Sequence, residues 1–368
     1  MKIAIMIGSL THGGAERVAS LWAKGFNEKG YTVNLILNNH GKPITYEVPH
    51  NVKILNLYSK KESGLMGWIR YILKFRKYLK NEKPDVIISV LEPHGIAAKL
   101  AMLTIIGLKI PVINTEHNAF ERPTYAPLSC GAKLRKFFVN KWYDKVTILT
   151  DVDRQVIANR LKNIVVLPNP LSFAPYDSSE CEYREKQIVA VGRVYDFNCK
   201  GFDLLVKSWS RIAKKYPNWT LKIIGAVKKP TIETLKIFME QDVSNQLEFI
   251  NYTPNILEFY RNSEIFILSS RYEGYGMVLL EAMSQGCACI ACDYKGRQRE
   301  ICGDDNNALV IPADDIEVMT SSIEELILNE GKRKMLQRNG PVRAQEFSLD
   351  KIMQIWDVIF DDLGLLES

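Results

Sequence analysis

The stretch SRYEGYGMVLLEAMSQG, residues 270–286, decides how this chain is read. It follows EIFILS (264–269), whose β-branched and aromatic residues mark a strand. Arg271–Gly276 then reads as a loop, and GMVLLEAMSQ as a helix from Gly276 to Gln285, stopped by Gly286. In open parallel sheets, ligands bind beyond the C-terminal strand ends. A helix opening there presents the unpaired backbone N–H groups of Gly276, Met277 and Val278 to an anion, and Gly274 and Gly276 let the backbone come close to it. Glu273 lies in the loop before that anion site and Glu281 lies further along the helix. One carboxylate beside a phosphate and one set back suit a nucleotide sugar, with Glu281 toward the ribose hydroxyls and Glu273 toward the sugar. Two glutamates at this spacing also occur on ordinary surface helices. The strand, loop and helix around them carry the functional reading.

Working outward, the same alternation fills the chain. Strands are expected at 2–8, 31–37, 51–57, 85–90, 111–115, 145–150 and 163–168, with helical spacing between most of them. PNPLSFAPYDSSECEYREK (168–186) has three prolines and no periodicity, and reads as a linker. Alternation then resumes at 187–192, 219–225, 246–250, 264–269, 287–292 and 307–311. Such a pattern predicts two doubly wound α/β domains in tandem. The last segment, SLDKIMQIWDVIFDDL (348–363), has Ser348 placed to cap a helix whose apolar residues share one face.

Composition agrees with a globular protein: 46% hydrophobic and 24% charged residues over 368 positions. No window holds the roughly 18 uninterrupted apolar residues a membrane span requires, and MKIAIMIGSL is a better buried strand than a secretory signal. Seven cysteines without a framework suit reduced thiols in a cytoplasm. The CxxC inside CACIAC (287–292) is embedded in small apolar residues, as in a buried strand. Residues 1–170 hold 25 Lys and Arg against 12 Asp and Glu, and residues 171–368 hold 23 against 30, so a half of +13 and a half of −7 make up the net +6. The first half is therefore expected to face something anionic.

Other segments carry candidate chemistry. THGGAER (11–17) follows the first strand and opens a helix, where Gly13 and Gly14 allow close approach to a diphosphate; it does not match the GxGxxG dinucleotide fingerprint. Arg193 and Lys200 follow a strand end. Each alone is an ordinary surface cation, but together they can neutralise a leaving diphosphate, without a metal ion. His117 and His94 also follow strand ends. Asp151 and Asp153 form a DxD that an N-cap and first-turn acid explain, so no metal site is assigned. Segments 64–83 and 132–145 mix Lys and Arg with aromatic and aliphatic residues, in the manner of helices that lie on anionic membranes. No nucleic-acid motif appears.

These segments, in order along nearly the whole chain, resemble the retaining GT-B glycosyltransferases of family 4, glycosyl transferases group 1. RYEGYGMVLLEAMSQG is similar to the family's E-x7-E segment, THGGAERV (11–18) to its glycine-rich first loop, and NTEHN (114–118) to its catalytic histidine segment. VLPNP (166–170) is similar to its domain junction, and VGRV…KGFDLLVKSW (191–209) to its Arg/Lys diphosphate segment. KGRQRE (295–300) departs from the usual Gly-Pro before the acid, so no role passes to Arg297. The resemblance implies two Rossmann-like domains facing a cleft: an acceptor-binding domain over 1–170, a nucleotide-sugar-binding domain over 171–347, and a C-terminal helix (348–368) crossing back to the first. It implies catalytic roles for His117, Glu273, Arg193 and Lys200. It further implies a donor that is a UDP-sugar, no metal cofactor, and a saccharide or lipid-pyrophosphate-linked acceptor. The enzyme would then sit in the cytoplasm, peripheral on the membrane face. Rival readings are a nucleotide-sugar epimerase of the same architecture and a non-catalytic sugar-binding protein. The basic aromatic segments weigh against the first, and the presence of Arg193, Lys200 and Glu273 against the second.

Overall fold

The computed structural model describes residues 1–366 apart from 12, 39–41, 58–63, 92, 124–125, 177–182, 227 and 240. His12, His40 and the middle of the proline-rich linker thus lie outside the described residues. The chain divides into two compact units, Met1–Ser172 with Leu349–Ser368, and Phe173–Ser348.

The first unit is built on β1 (Lys2–Ile7), β2 (Thr32–Leu37), β3 (Lys53–Asn56), β4 (Val86–Val90), β5 (Val112–Thr115), β6 (Lys145–Ile148) and β7 (Ile164–Val166). They form one parallel sheet in the order β3-β2-β1-β4-β5-β6-β7. β1 is buried from Ile3 to Ile7, as an unbroken apolar run must be when helices cover both faces. The connecting helices are α1 (Gly14–Glu28), α2 (Gly64–Glu82), α3 (His94–Leu103), α4 (Cys130–Phe137) and α5 (Asp151–Ile157). α1 buries Val18, Trp22 and Phe26, four residues apart on one face.

The second unit holds β8 (Glu185–Val191), β9 (Thr220–Ile224), β10 (Leu247–Ile250), β11 (Ser263–Leu268), β12 (Ala288–Asp293) and β13 (Leu309–Pro312). This sheet is also parallel, in the order β10-β9-β8-β11-β12-β13. Its helices are α6 (Phe197–Lys200), α7 (Phe202–Ser210), α8 (Lys229–Lys236), α9 (Ile256–Asn262), α10 (Met277–Ser284), α11 (Arg297–Cys302), α12 (Ile316–Leu328) and α13 (Glu330–Ala344). Every strand expected from the sequence is present, with ends displaced by no more than two residues. CACIAC is a buried strand: burial pushes the Cys287 and Cys292 thiols up to about 12, so they stay protonated core residues.

Strand order reverses between β1 and β4 in the first sheet and between β8 and β11 in the second. The loops leaving those strands diverge to opposite sides of each sheet and open a crevice at their C-terminal ends.

The last helix, α14 (Leu349–Asp361), belongs to the first unit. Its buried face of Ile352, Met353, Trp356, Ile359 and Phe360 packs on α1. The Trp356 ring stands edge-on to Trp22 at 5.1 Å and to Phe26 at 5.3 Å. Met353 lies against Gly25, where a Cβ would stand 2.7 Å from its Sδ. Lys29 pairs with Asp357 at 2.7 Å and Lys145 with Asp362 at 3.0 Å. The Trp356 indole N–H is buried without a hydrogen-bond partner, so the residue acts through packing alone. Trp356→Ala is therefore expected to destabilise the protein by about 3–5 kcal/mol, and Trp356→Phe by clearly less. Denaturant unfolding followed by circular dichroism checks both; equal losses for the two variants would contradict the packing account.

Candidate active site

In the second unit, β8 delivers the chain through Gly192 to Arg193 and α6, and β11 delivers it to residues 269–276. Both loops leave the switch point of the sheet. Lys200 closes α6, and its Nζ donates to Glu273 Oε1 at 2.6 Å; Ser270 Oγ donates to the same oxygen at 2.8 Å. The two side chains are only 16% and 15% exposed. Burial alone pulls the Lys200 ammonium down, but the Glu273 carboxylate more than offsets this and holds it above the ordinary lysine range, so it is a cation at any physiological pH. Arg193 is exposed and donates to Asp196 Oδ2 at 3.2 Å. The sequence pairs Arg193 with Lys200; the fold places one at the surface and one in the interior.

Gly276 is the N-cap of α10, with φ 96 and no side-chain cap. The first N–H groups of α10, on Met277 and Val278, have no acceptor within the helix. Glu281 is 3% exposed and accepts from Tyr260 Oη at 3.2 Å. Gly274 lies in the loop between Glu273 and this cap.

Arg271 holds the loop, and nothing in the sequence marks it. Its guanidinium forks onto Asp203 at 2.7 and 2.8 Å, bonds Asp314 at 2.6 Å, and reaches the Asn198 carbonyl. Those partners lie 43 to 73 residues away in the chain, so no local pattern could reveal them. Gln298, in the departing KGRQRE segment, donates to the Tyr275 carbonyl at 3.4 Å and accepts from Tyr294 N at 2.7 Å. It braces the turn that opens α10. Arg297 is fully buried, with its guanidinium 5.2 Å from the Tyr294 ring.

In the first unit, His117 lies two residues beyond β5, with Nε2 3.1 Å from Thr115 Oγ1 and its ring 5.7 Å from Trp22. Its Nδ1 is buried without a hydrogen-bond partner, as is Asn169 Oδ1. Burial lowers its pKa to about 4, against a smaller upward pull from the Glu116 charge, so the ring is neutral. His94 opens α3 at the β1/β4 switch point, with Nδ1 3.3 Å from Tyr71 Oη. Gly13 caps α1 without a side-chain bond, and Gly14 is the first residue of that helix. The Glu16 carboxylate folds back on Gly13, so that a Cβ there would meet its Oε2 at 1.9 Å. An acid of the chain itself thus occupies the space over Gly13 where the sequence reading sets a diphosphate.

Two segments differ in detail from their sequence pattern. Lys136, one of the cations of segment 132–145, does not face solvent. It is buried, bonding Glu116 Oε2 at 2.8 Å and the Asn118 carbonyl at 2.9 Å, while Asn140 Nδ2 donates to Glu116 Oε1 at 3.0 Å. The interior carboxylate demands a partner cation, and Lys136 is it. In the DxD, Thr150 is the helix cap; its Oγ1 accepts from Asp153 N at 3.2 Å, and Asp153 Oδ1 accepts from Phe120 N at 2.9 Å.

Residues 12–173 match the model of Glycosyltransferase Family 4, and residues 178–343 match that of Glycosyl transferases group 1. These two matches, one in each half of the chain, together with the relatives that follow, support a glycosyl transferase of group 1. It is 26% identical over 369 residues to the amylovoran biosynthesis glycosyltransferase AmsD of Erwinia amylovora, covering 98% of this chain and 99% of that one. It is 24% identical to the N-acetylgalactosamine-N,N'-diacetylbacillosaminyl-diphospho-undecaprenol 4-alpha-N-acetylgalactosaminyltransferase of Campylobacter jejuni, over 95% of this chain and 97% of that one. Among solved folds, Anabaena HepE in complex with UDP and glucose superposes with a TM-score of 0.78 at 14% identity, over 98% and 100% of the two chains. The fold is therefore GT-B, and the relatives include glycosyltransferases of amylovoran and of lipopolysaccharide core biosynthesis.

The buried neutral histidines fix a pH dependence. Burial lowers His94 to about 4, so the unfolded chain takes up a proton below about 6.5 that the folded chain refuses. Stability should fall as pH drops from about 6.5 toward 4, His94 contributing on the order of 3 kcal/mol. Thermal unfolding of wild type and His94→Gln across that range reads it: the variant should lose less stability on acidification, and parallel profiles would refute the assignment.

Proposed function

We propose that this enzyme transfers a sugar, with retention of configuration, from a UDP-sugar to a lipid-linked saccharide acceptor in bacterial surface polysaccharide or oligosaccharide assembly. The Lys200–Glu273 pair at the strand-end crevice, beside the opening of α10, carries this reading. In the reaction, the bond from the sugar C1 to the donor diphosphate oxygen breaks, and its electrons stay with the diphosphate. The acceptor oxygen bonds to C1 on the same face, and its proton passes to a departing phosphate oxygen. The products are the glycosylated acceptor and UDP.

Charge builds on the diphosphate as the bond breaks. Lys200 has two ammonium hydrogens beyond the one given to Glu273, and its cation is held in a largely desolvated position. Arg193 adds a mobile cation from the surface, and the α10 N–H groups add fixed dipoles. With these groups the diphosphate is neutralised without a metal ion. Glu281, kept rigid by Tyr260, accepts from the ribose, and Glu273 from the sugar. His117 donates to the sugar as a neutral imidazole. HepE, solved with UDP, supports the choice of nucleotide, and the diphospho-undecaprenol substrate named for the Campylobacter relative supports a lipid diphosphate acceptor. The surplus of positive charge in residues 1–170 suits such an acceptor.

A thermal-shift series with UDP, GDP, ADP and their sugar conjugates tests the donor. UDP and its sugars are expected to raise the unfolding midpoint, and Glu281→Ala to abolish most of the rise. Lys200→Ala and Arg193→Ala should each cut turnover by about a hundredfold or more while leaving the fold intact. Full turnover in both variants would show that the diphosphate does not bind where proposed.

A further inference from the structure

Resting on the reading of a lipid-linked acceptor, we infer that the first unit docks on an anionic bilayer through one composite face: the outer side of α2 and the turn that follows α3. α2 has two unlike sides. Tyr71, Phe75, Tyr78 and Leu79 are buried against the sheet. Leu65, Ile69 and Leu73, spaced four residues apart, form a stripe on the other side, with Met66 beside it, and all four are exposed. A stripe of large aliphatic side chains facing water is what an amphipathic helix shows when its second face has a partner.

The stripe does not end with the helix. One turn beyond Leu73, the Arg76 guanidinium donates to the Thr104 carbonyl at 3.4 Å and ties α2 to the turn after α3. Leu103, the last residue of α3, is 73% exposed, and Ile106 in that turn is fully exposed. Two stretches adjacent in the fold but not in sequence thus present one apolar surface.

Charge specifies the occupant. Residues 64–81 and 94–110 contain no aspartate or glutamate. Lys77, Lys80 and Lys109 are exposed along the same elements. Protein partners of this chemistry would need an acidic apolar surface of matching length, whereas an anionic bilayer offers both features everywhere. α2 has 19 residues, about 28 Å of helix. No helix among the described residues is long and apolar enough to cross a membrane, so the contact lies in the interface plane.

Co-sedimentation with vesicles of phosphatidylcholine, alone or mixed with phosphatidylglycerol, tests this. Wild type is expected to sediment with the mixed vesicles, to be released by high salt, and to stay in solution with phosphatidylcholine alone. Leu73→Glu with Ile106→Glu should weaken binding by on the order of tenfold or more. Both positions face solvent, and an unchanged UDP-induced rise in the unfolding midpoint shows that the variant is folded. Absence of vesicle binding, equal binding to both vesicle types, or a variant that binds like wild type would each overturn the inference. So would a wild-type dimer, seen by light scattering, that the double variant disperses, because the face would then cover a second copy. Loss of vesicle binding with a retained UDP response leaves the transferase reading standing; a retained vesicle response with no nucleotide response does the reverse.

Discussion

Lys200 and Glu273 stand 73 residues apart in the chain and 2.6 Å apart in space, and the donor-side chemistry depends on that meeting. Main-chain contact makes it possible. Ser269 Oγ donates to the Lys200 carbonyl at 2.8 Å, and Arg271 N donates to the Cys199 carbonyl at 2.9 Å. Gly201 follows Lys200 directly, with φ +64, and any Cβ on it would stand 1.9 Å from the Ser269 carbonyl oxygen. Only glycine permits the loops leaving β8 and β11 to approach so closely. The parallel sheet supplies adjacent strand ends, the missing side chain lets their loops touch, and the ion pair follows.

Such a pair is a poor device for stability alone. Withdrawing an ammonium and a carboxylate from water costs several kcal/mol per ion, and their attraction roughly returns it. The pair becomes intelligible as preorganisation. Glu273 holds Lys200 charged in a largely dry position, and Arg271 fixes the loop bearing Glu273 by four bonds to α6, α7 and the loop after β13. Little reorganisation is then needed when charge develops nearby.

The fold was legible because parallel strands buried on both faces announce themselves as short apolar runs, and all thirteen could be placed. Residues that must lie at strand ends, such as Arg193, Lys200, His117 and Glu273, were legible for the same reason. What stayed hidden is what depends on pairs distant in sequence. Nothing in YEG or KGF says that Arg271 will span three elements. Lys136 reads as one more cation in a basic run until its helix turns it onto Glu116, twenty residues earlier. Likewise Gly13 and Gly14 promise a phosphate cradle, and the Glu16 side chain fills the space over one of them. Periodicity assigns a residue to a face, but the third dimension decides what that face meets.

α2 shows how the two halves of the proposal join. Tyr71 on its inner side reaches His94 at the switch point of the first sheet, while Ile69 and Leu73, two residues to either side, face outward. Inner and outer sides of a helix are separated by about 10 Å. On the inference of bilayer docking, α2 stands between the membrane surface and His94 at the switch point of the first sheet. A saccharide joined to a lipid by a diphosphate has to reach past that helix to present its hydroxyls to a strand-end crevice. The aliphatic stripe is not required to fold the domain, since α2 already buries Tyr71, Phe75, Tyr78 and Leu79. Exposed to water it brings no stability, and its worth lies in the height at which it would hold the first unit over the lipid.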